Sequence, residues 1–250
     1  MIVLKTEREL KIMQEAGRIA ANALKVAGAA VEPGVSTWEI DRVARRYIEE
    51  QGAKPTFLGY GGFPASACVS VNEVVIHGIP SKHKIVREGD IVSIDVGATY
   101  EGFVGDNAFT FPCGDVSPEA QRLMDTTRES LLEGIKAAVA GARIGDIGSA
   151  VQRYAEARGY SVVRDFVGHG VGAKMHEDPS VPNYGTPGRG VRLLPGMTIA
   201  IEPMINQGVK EVKVLPDEWT TVTADGKLSA HFENSIAITP DGPVILTLPD

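Results

Sequence analysis

Cysteine is almost absent from this chain, with only Cys68 and Cys113 among 250 residues. That excludes a disulfide framework and suits a reducing cytoplasm. Basic residues are outnumbered, 25 against 32 acidic ones, for a formal charge of −7. A nucleic-acid groove is therefore not expected as the main business, and no specific nucleic-acid partner is expected. No apolar run is long enough to span a membrane. The N-terminus, MIVLKTERELKIMQEAG, turns charged before a signal-peptide core could form. No membrane partner is expected, and the cytoplasm is the expected location. Low-complexity tracts and Pro- or Gly-rich linkers are missing too, so one catalytic domain over residues 1–250 is the expectation. What remains is an ordinary globular composition, 43% hydrophobic and 23% charged, with enough chain to bury a sizeable core.

The most informative stretch is Gly89 to Phe111, GDIVSIDVGATYEGFVGDNAFTF. It reads as two β-rich runs, Ile91–Val96 and Phe103–Phe111, joined by a short polar turn around Tyr100–Gly102. Each run carries one aspartate among apolar neighbours, Asp95 and Asp106. A two-residue turn at Tyr100–Glu101 sets them directly opposite, whereas one at Glu101–Gly102 makes them diagonal neighbours on the same face. Two such carboxylates repel by about 4 kcal/mol at an effective dielectric near 20. Either a positive group lies between them or one keeps its proton.

Around this hairpin the chain repeats itself. Thr6-x-x-Glu9 and Ser36-x-x-Glu39 are capping boxes that open two helices, ending near Pro33-Gly34 and at Gly52. Ser117-Pro118 opens a third, running to about Ala140, and Asp146 caps a fourth that ends at Gly159. A shift of 107 residues lays Gly34 on Gly141, Ile40 on Ile147, Arg46 on Arg153, Tyr47 on Tyr154, Glu49 on Glu156 and Gly52 on Gly159. The same shift carries Asp95 onto Glu202. After an insertion of 20 residues, a shift of 127 carries Asp106-Asn107 onto Glu233-Asn234. The expectation is an α+β fold of two pseudo-symmetric helix–helix–hairpin halves, roughly 1–115 and 116–250, sharing one curved antiparallel sheet.

The pseudo-axis brings four carboxylates together: Asp95, Asp106, Glu202 and Glu233. Four bare anions on one sheet are not tolerable, and two divalent cations would compensate them, held about 3.5–4 Å apart by bridging carboxylates. Among the five histidines, His169 stands in Gly168-His169-Gly170-Val171-Gly172, where glycines permit close approach, and it becomes a candidate ligand. His77 and His176 sit in loop contexts from which they could reach a reacting carbonyl or amine. His176-Glu177 lacks the second histidine of the helical zinc-protease motif. His83 reads as a solvated loop residue. His231, two residues before Glu233, could share its face but has no assigned role.

Asp95, Asp106, His169, Glu202 and Glu233, set in DVGA, GDNAFTF, GHGVG, IEPM and ENSIAIT, closely resemble the type I methionine aminopeptidases over essentially the whole chain. That resemblance implies the pita-bread fold, two metal ions, and removal of the initiator methionine from nascent peptides whose next residue is small. It implies that Asp95 holds one metal, that His169 and Glu202 hold the other, and that Asp106 and Glu233 bridge. Glu202 also helps activate the attacking water, and His77 and His176 contact substrate. It further implies a methionine slot walled by Tyr60, Phe63, Cys68, Met175 and Trp219, of soft and aromatic character. The oxygen-rich donor set suits Co, Mn, Fe or Zn, and affinity order alone does not choose among them. Nascent peptide N-termini are the expected partners, with room for a transient ribosome contact, and a monomer is expected. Three positions depart from the family: relatives often carry a small residue or Cys at Phe57, a His at Gly61 and an aromatic at Met175.

Two other functions compete. A proline-directed relative of the same fold (aminopeptidase P or prolidase) usually carries a separate N-terminal domain, whereas this chain starts directly at the fold. A binding protein that shares the fold without activity is expected to have lost metal ligands, and all five are present.

Overall fold

A computed structural model describes all 250 residues. Four helices form where the caps place them. α1 (Glu7–Ala29) and α2 (Thr37–Glu50) each open on a complete capping box, with Glu9 and Glu39 reaching back to the cap backbone. α3 (Pro118–Ala137) starts on Ser117 with proline in its first turn, and stops a few residues short of Ala140. α4 (Ile144–Glu156) corrects the expectation for Asp146. Its N-cap is Arg143, and Asp146 stands at the third helical position. From there the Asp146 carboxylate accepts from the Arg143 backbone N–H at 2.7 Å, and the helix begins three residues earlier than a cap at Asp146 requires.

The main sheet has nine strands: β1 (Lys54–Pro55), β2 (Ala67–Val71), β3 (Ile91–Tyr100), β4 (Phe103–Pro112), β5 (Gly168–Gly170), β6 (Glu177–Val181), β7 (Thr198–Ile201), β8 (Glu233–Thr239) and β9 (Gly242–Ile245). Its order is β1-β3-β4-β8-β7-β5-β6, with β2 also on β3 and β9 also on β8, and every pair is antiparallel. β3 runs four residues beyond Val96, and Tyr100 pairs with Phe103, so the turn is Glu101–Gly102. Glu101 and Gly102 both take positive φ, +45° and +83°, the backbone that a tight two-residue turn requires.

The repeat is visible in the topology. β4 of the first half meets β8 of the second, with Asn107 opposite Asn234, the pair related by the shift of 127. Each half carries its own hydrophobic cluster, of 19 buried residues around α1 and α2 and of 21 around α3 and α4. Ile94, Val96 and Ala98 of β3 belong to the first cluster, so alternation turns Asp95 to the opposite face.

The helix layer is seated by close backbone approach. A Cβ on Gly105 of β4 would lie 2.4 Å from the Gly17 nitrogen of α1, and one on Gly17 would lie 2.3 Å from the Leu246 carbonyl oxygen. Gly105 therefore faces α1, and its neighbour Asp106 faces away from it. Gly105→Ala is expected to destabilise the protein by about 1–3 kcal/mol through overpacking. A lowered urea midpoint would show this; an unchanged midpoint would mean that α1 is not seated on β4 in this way.

Candidate metal centre

The register gathers the acids. Asp95 pairs with Ala108, and Ala108 pairs with Glu233, so all three lie in one row across β3, β4 and β8. The small Ala108 side chain leaves open the space between the two carboxylates. Asp106 is two residues along β4 on the same face, the diagonal arrangement relative to Asp95. Asn234 pairs with Ile201, so Glu202, just past β7, stands level with Glu233. Pro203 breaks the strand there, as a residue without an N–H must.

His169 enters from β5. Its flanking glycines are dictated by neighbours: a Cβ on Gly168 would lie 2.4 Å from the Ala200 carbonyl oxygen, and one on Gly170 would lie 2.2 Å from that of Asp178. The ring is aimed by Nδ1, which donates to the Gly170 carbonyl oxygen at 2.8 Å. Nε2 then lies 3.5 Å from Asp106 Oδ2 and 3.4 Å from Glu202 Oε1. Donor atoms of Asp106, His169 and Glu233 all fall within 4.8 Å of one another, and all three residues are buried. Asp95 and Glu202 border that trio and line the same cavity.

The donor set fits divalent cations. Asp95 Oδ1, Asp106 Oδ1 and Glu233 Oε1 are buried without any hydrogen-bond partner. Buried carboxylate oxygens are rarely left so, and a cation satisfies them. Protonation tells the same story. Burial first, then the charges of Asp106 and Glu202, hold Asp95 well above the usual carboxylate range. Glu233 is raised by burial and by the same neighbours. Burial lifts Glu202 to about 8 against the opposing pull of His169. Burial alone would push His169 down, yet the hydrogen bond to Asp106 and the charge of Glu202 outweigh it and raise His169 to about 9. Such a site collects positive charge from whatever source offers it.

Above the acids lies a cavity of about 180 Å³ whose walls include Tyr60, Phe63, Cys68, His77, Met175, His176 and Trp219. Every residue expected at the slot is thus present. Phe63 and Trp219 stack edge-on at 5.1 Å between ring centroids, and the Tyr60 hydroxyl lies 2.7 Å from His176 Nδ1. His77 adopts φ +57°, unusual for a side chain of its size, and its ring packs against Phe166 and Trp219. The three positions where a departure from relatives is expected fall here. Phe57 and Met175 line the cavity, and a Cβ on Gly61 would lie 3.3 Å from the Trp219 ring. Ile76, Phe166 and Val167 also line it, which sequence reasoning missed. Their only signal was proximity to His77 and His169 in the chain. His83 is exposed in its loop, as expected.

Comparison with known proteins agrees with this geometry. Residues 11–240 match the model of metallopeptidase family M24. The methionine aminopeptidase of Clostridium acetobutylicum is 52% identical, with 99% of each chain covered. The chain belongs to family M24, among its methionine aminopeptidases. That of Escherichia coli is 45% identical, over 99% of this chain and 94% of its own length. The crystal structure of methionine aminopeptidase from Thermotoga maritima superposes with a TM-score of 0.97 at 47% identity, covering 99% of both chains. The fold is the family's pita bread. A prolidase from Pyrococcus horikoshii shares the fold, with a TM-score of 0.81 at 24% identity, but this chain covers only 65% of it.

The raised groups set the sign of a pH effect on the metal-free protein. Glu202 is shifted from 4.5 to about 8 and His169 from 6.5 to about 9, so between pH 6.5 and 8 the folded chain binds more protons than the unfolded chain. Stability of chelator-treated protein is therefore expected to fall as pH rises through that window. Added Mn²⁺ is expected to reverse the trend, because cations bind better as protons leave. Thermal melts at the two ends of the window, with and without Mn²⁺, check this; metal-free protein that gains stability instead would contradict it.

Proposed function

We propose that the chain removes the N-terminal methionine from nascent peptides whose second residue is small, using two divalent metal ions. The observation that carries this is the juxtaposition of partnerless buried carboxylates with a pocket walled by sulfur and aromatic side chains. A linear thioether suits such walls. The curated relatives named methionine aminopeptidase support the same substrate.

In this reading Asp95 would hold one ion and His169 and Glu202 the other, with Asp106 and Glu233 shared between the two. Cations held there would supply charge neutralisation for the acids, a more acidic water and polarisation of a carbonyl. The protein's own groups do the rest. Glu202 accepts the proton that the attacking water sheds and returns it to the departing amine. His77 is pushed down to about 4 by burial and by His176, so it is neutral at pH 7. His176 is lowered by burial and by His169. Neutral imidazoles beside the pocket hydrogen-bond the scissile amide without adding charge to the metal site. Tyr60 orients His176 through its hydroxyl.

Co, Mn, Fe and Zn all suit the donors, and supply rather than affinity would choose among them. No helix is long and apolar enough to cross a membrane, and both cysteines are free and buried. We place the enzyme in the cytoplasm as a single-domain monomer that meets peptide N-termini as they leave the ribosome.

Metal-loaded protein is expected to cleave Met-Ala-Ser and to spare Met followed by a bulky residue. Equal turnover of Xaa-Pro peptides would move the assignment to the proline-directed relatives; no turnover with any of the four metals would favour a binding protein. Asp106→Asn should lower kcat roughly a hundredfold or more, since a lost bridge removes several kcal/mol of charge stabilisation. Near-normal rates would contradict the bridging role.

A further inference from the structure

Glu202 stands between two imidazoles. Its Oε1 lies 3.4 Å from His169 Nε2, and its Oε2 lies 3.9 Å from His231 Nε2. His169 has a role in the metal site, but His231 has none. It is only 2% exposed, and its Nε2 is buried with no hydrogen-bond partner. Orphaned buried ring nitrogens are uncommon enough to need a reason.

The backbone holds this ring where it is. The Ser229–His231 strand pairs with Met204–Asn206, placing His231 opposite Met204, two residues past Glu202. Thr110 Oγ1 donates to the His231 carbonyl oxygen at 2.9 Å and accepts from its N–H at 3.0 Å. Ser93 Oγ, at 2.8 Å, fixes Thr110 in turn. No side chain other than the two histidines approaches the Glu202 carboxylate as a donor; Asn183 bonds its backbone carbonyl instead. A separation of 3.9 Å is too long for a hydrogen bond. The terminal torsion of a glutamate is soft, and a modest turn of the carboxylate closes the gap.

We propose that His231 is a positioning residue for Glu202. Its Nε2–H donates to Oε2 and fixes the plane of the carboxylate, so that Oε1 is presented to the space shared with His169 and Asp106. The role rests on reading Glu202 as a metal ligand. Ligating carboxylates held by such a partner bind metal better than free ones.

The test is calorimetric titration of metal-free protein with Mn²⁺, comparing wild type with His231→Leu and His231→Gln, alongside Met-Ala-Ser kinetics. The leucine variant should bind at least one ion roughly 10–100-fold more weakly. The glutamine variant, which restores an N–H donor of similar reach, should recover most of that loss. His231→Asn keeps the polarity but falls short of Oε2; it carries the same expectation as leucine and replaces it if the leucine variant does not fold. Wild-type metal affinity in the leucine or asparagine variant would overturn the proposal, even with reduced turnover, because Nε2 would then serve the substrate instead. A glutamine variant as weak as leucine would overturn it too, since ring shape rather than donation would matter. Wild type that takes up no Mn²⁺ would sink both this role and the reading of Glu202 on which it rests.

Discussion

Everything in this molecule is arranged around a repulsion. Four carboxylates share one face of one sheet, and each close pair opposes folding by about 4 kcal/mol at an effective dielectric near 20. No arginine or lysine comes to their aid; the ion pairs that the cluster makes are with histidine alone. The sheet can hold such a face only because its other face is so well anchored. Two clusters of buried apolar side chains and the glycine contacts between α1 and β4 lie directly behind the acids. The repelling groups thus stand on strands backed by packed core, and firm placement is what a metal site requires.

The two-fold repeat explains how the acids came to be opposed in pairs. Asn107 meets Asn234 where the halves join, and each half contributes one acid on that inner strand and one on the next. The halves are not copies, however. The first hairpin sets Asp95 and Asp106 on a diagonal, while the second sets Glu202 level with Glu233 and breaks β7 at Pro203. The longer glutamates take up the difference in register. His169 has no counterpart in the first half and makes the two sides of the centre chemically unequal.

Much of this was legible in the residues alone, for identifiable reasons. Capping boxes announce helix starts because the acceptor and the returning carboxylate stand three residues apart; two helices begin where those signals fall, and a third begins at Ser117-Pro118. Asp146 misled because an aspartate can serve as a cap or as the partner of one, and only the backbone decides. The acids were legible because strand alternation puts them on one face whichever turn is chosen. The turn itself was not, since Glu101 takes a positive φ that its side chain does not advertise. The walls of the pocket were legible only through family likeness. Ile76, Phe166 and Val167 reach it from loops and short strands, where no period links position to direction. His231 was visible as a neighbour of Glu233 in sequence, but its contact is with Glu202, a relation that belongs to the pairing of two short strands.

The arrangement of the histidines completes the argument. A centre that attracts positive charge this strongly raises the imidazole aimed between its acids, and His169, held between Asp106 and Glu202 and raised to about 9, shows the effect. His77 escapes it through burial beside Phe166 and Trp219, which pushes it to about 4. Burial is the largest influence on its ring, and no carboxylate offsets it. The same low-dielectric walls that accept an apolar side chain therefore keep a neutral hydrogen-bonding group beside a highly charged floor. Replacing those walls with polar ones would loosen the grip on the apolar side chain and, by rehydrating His77, let it charge as well. Pocket selectivity and the protonation of His77 are one property of this site, set by the aromatic walls.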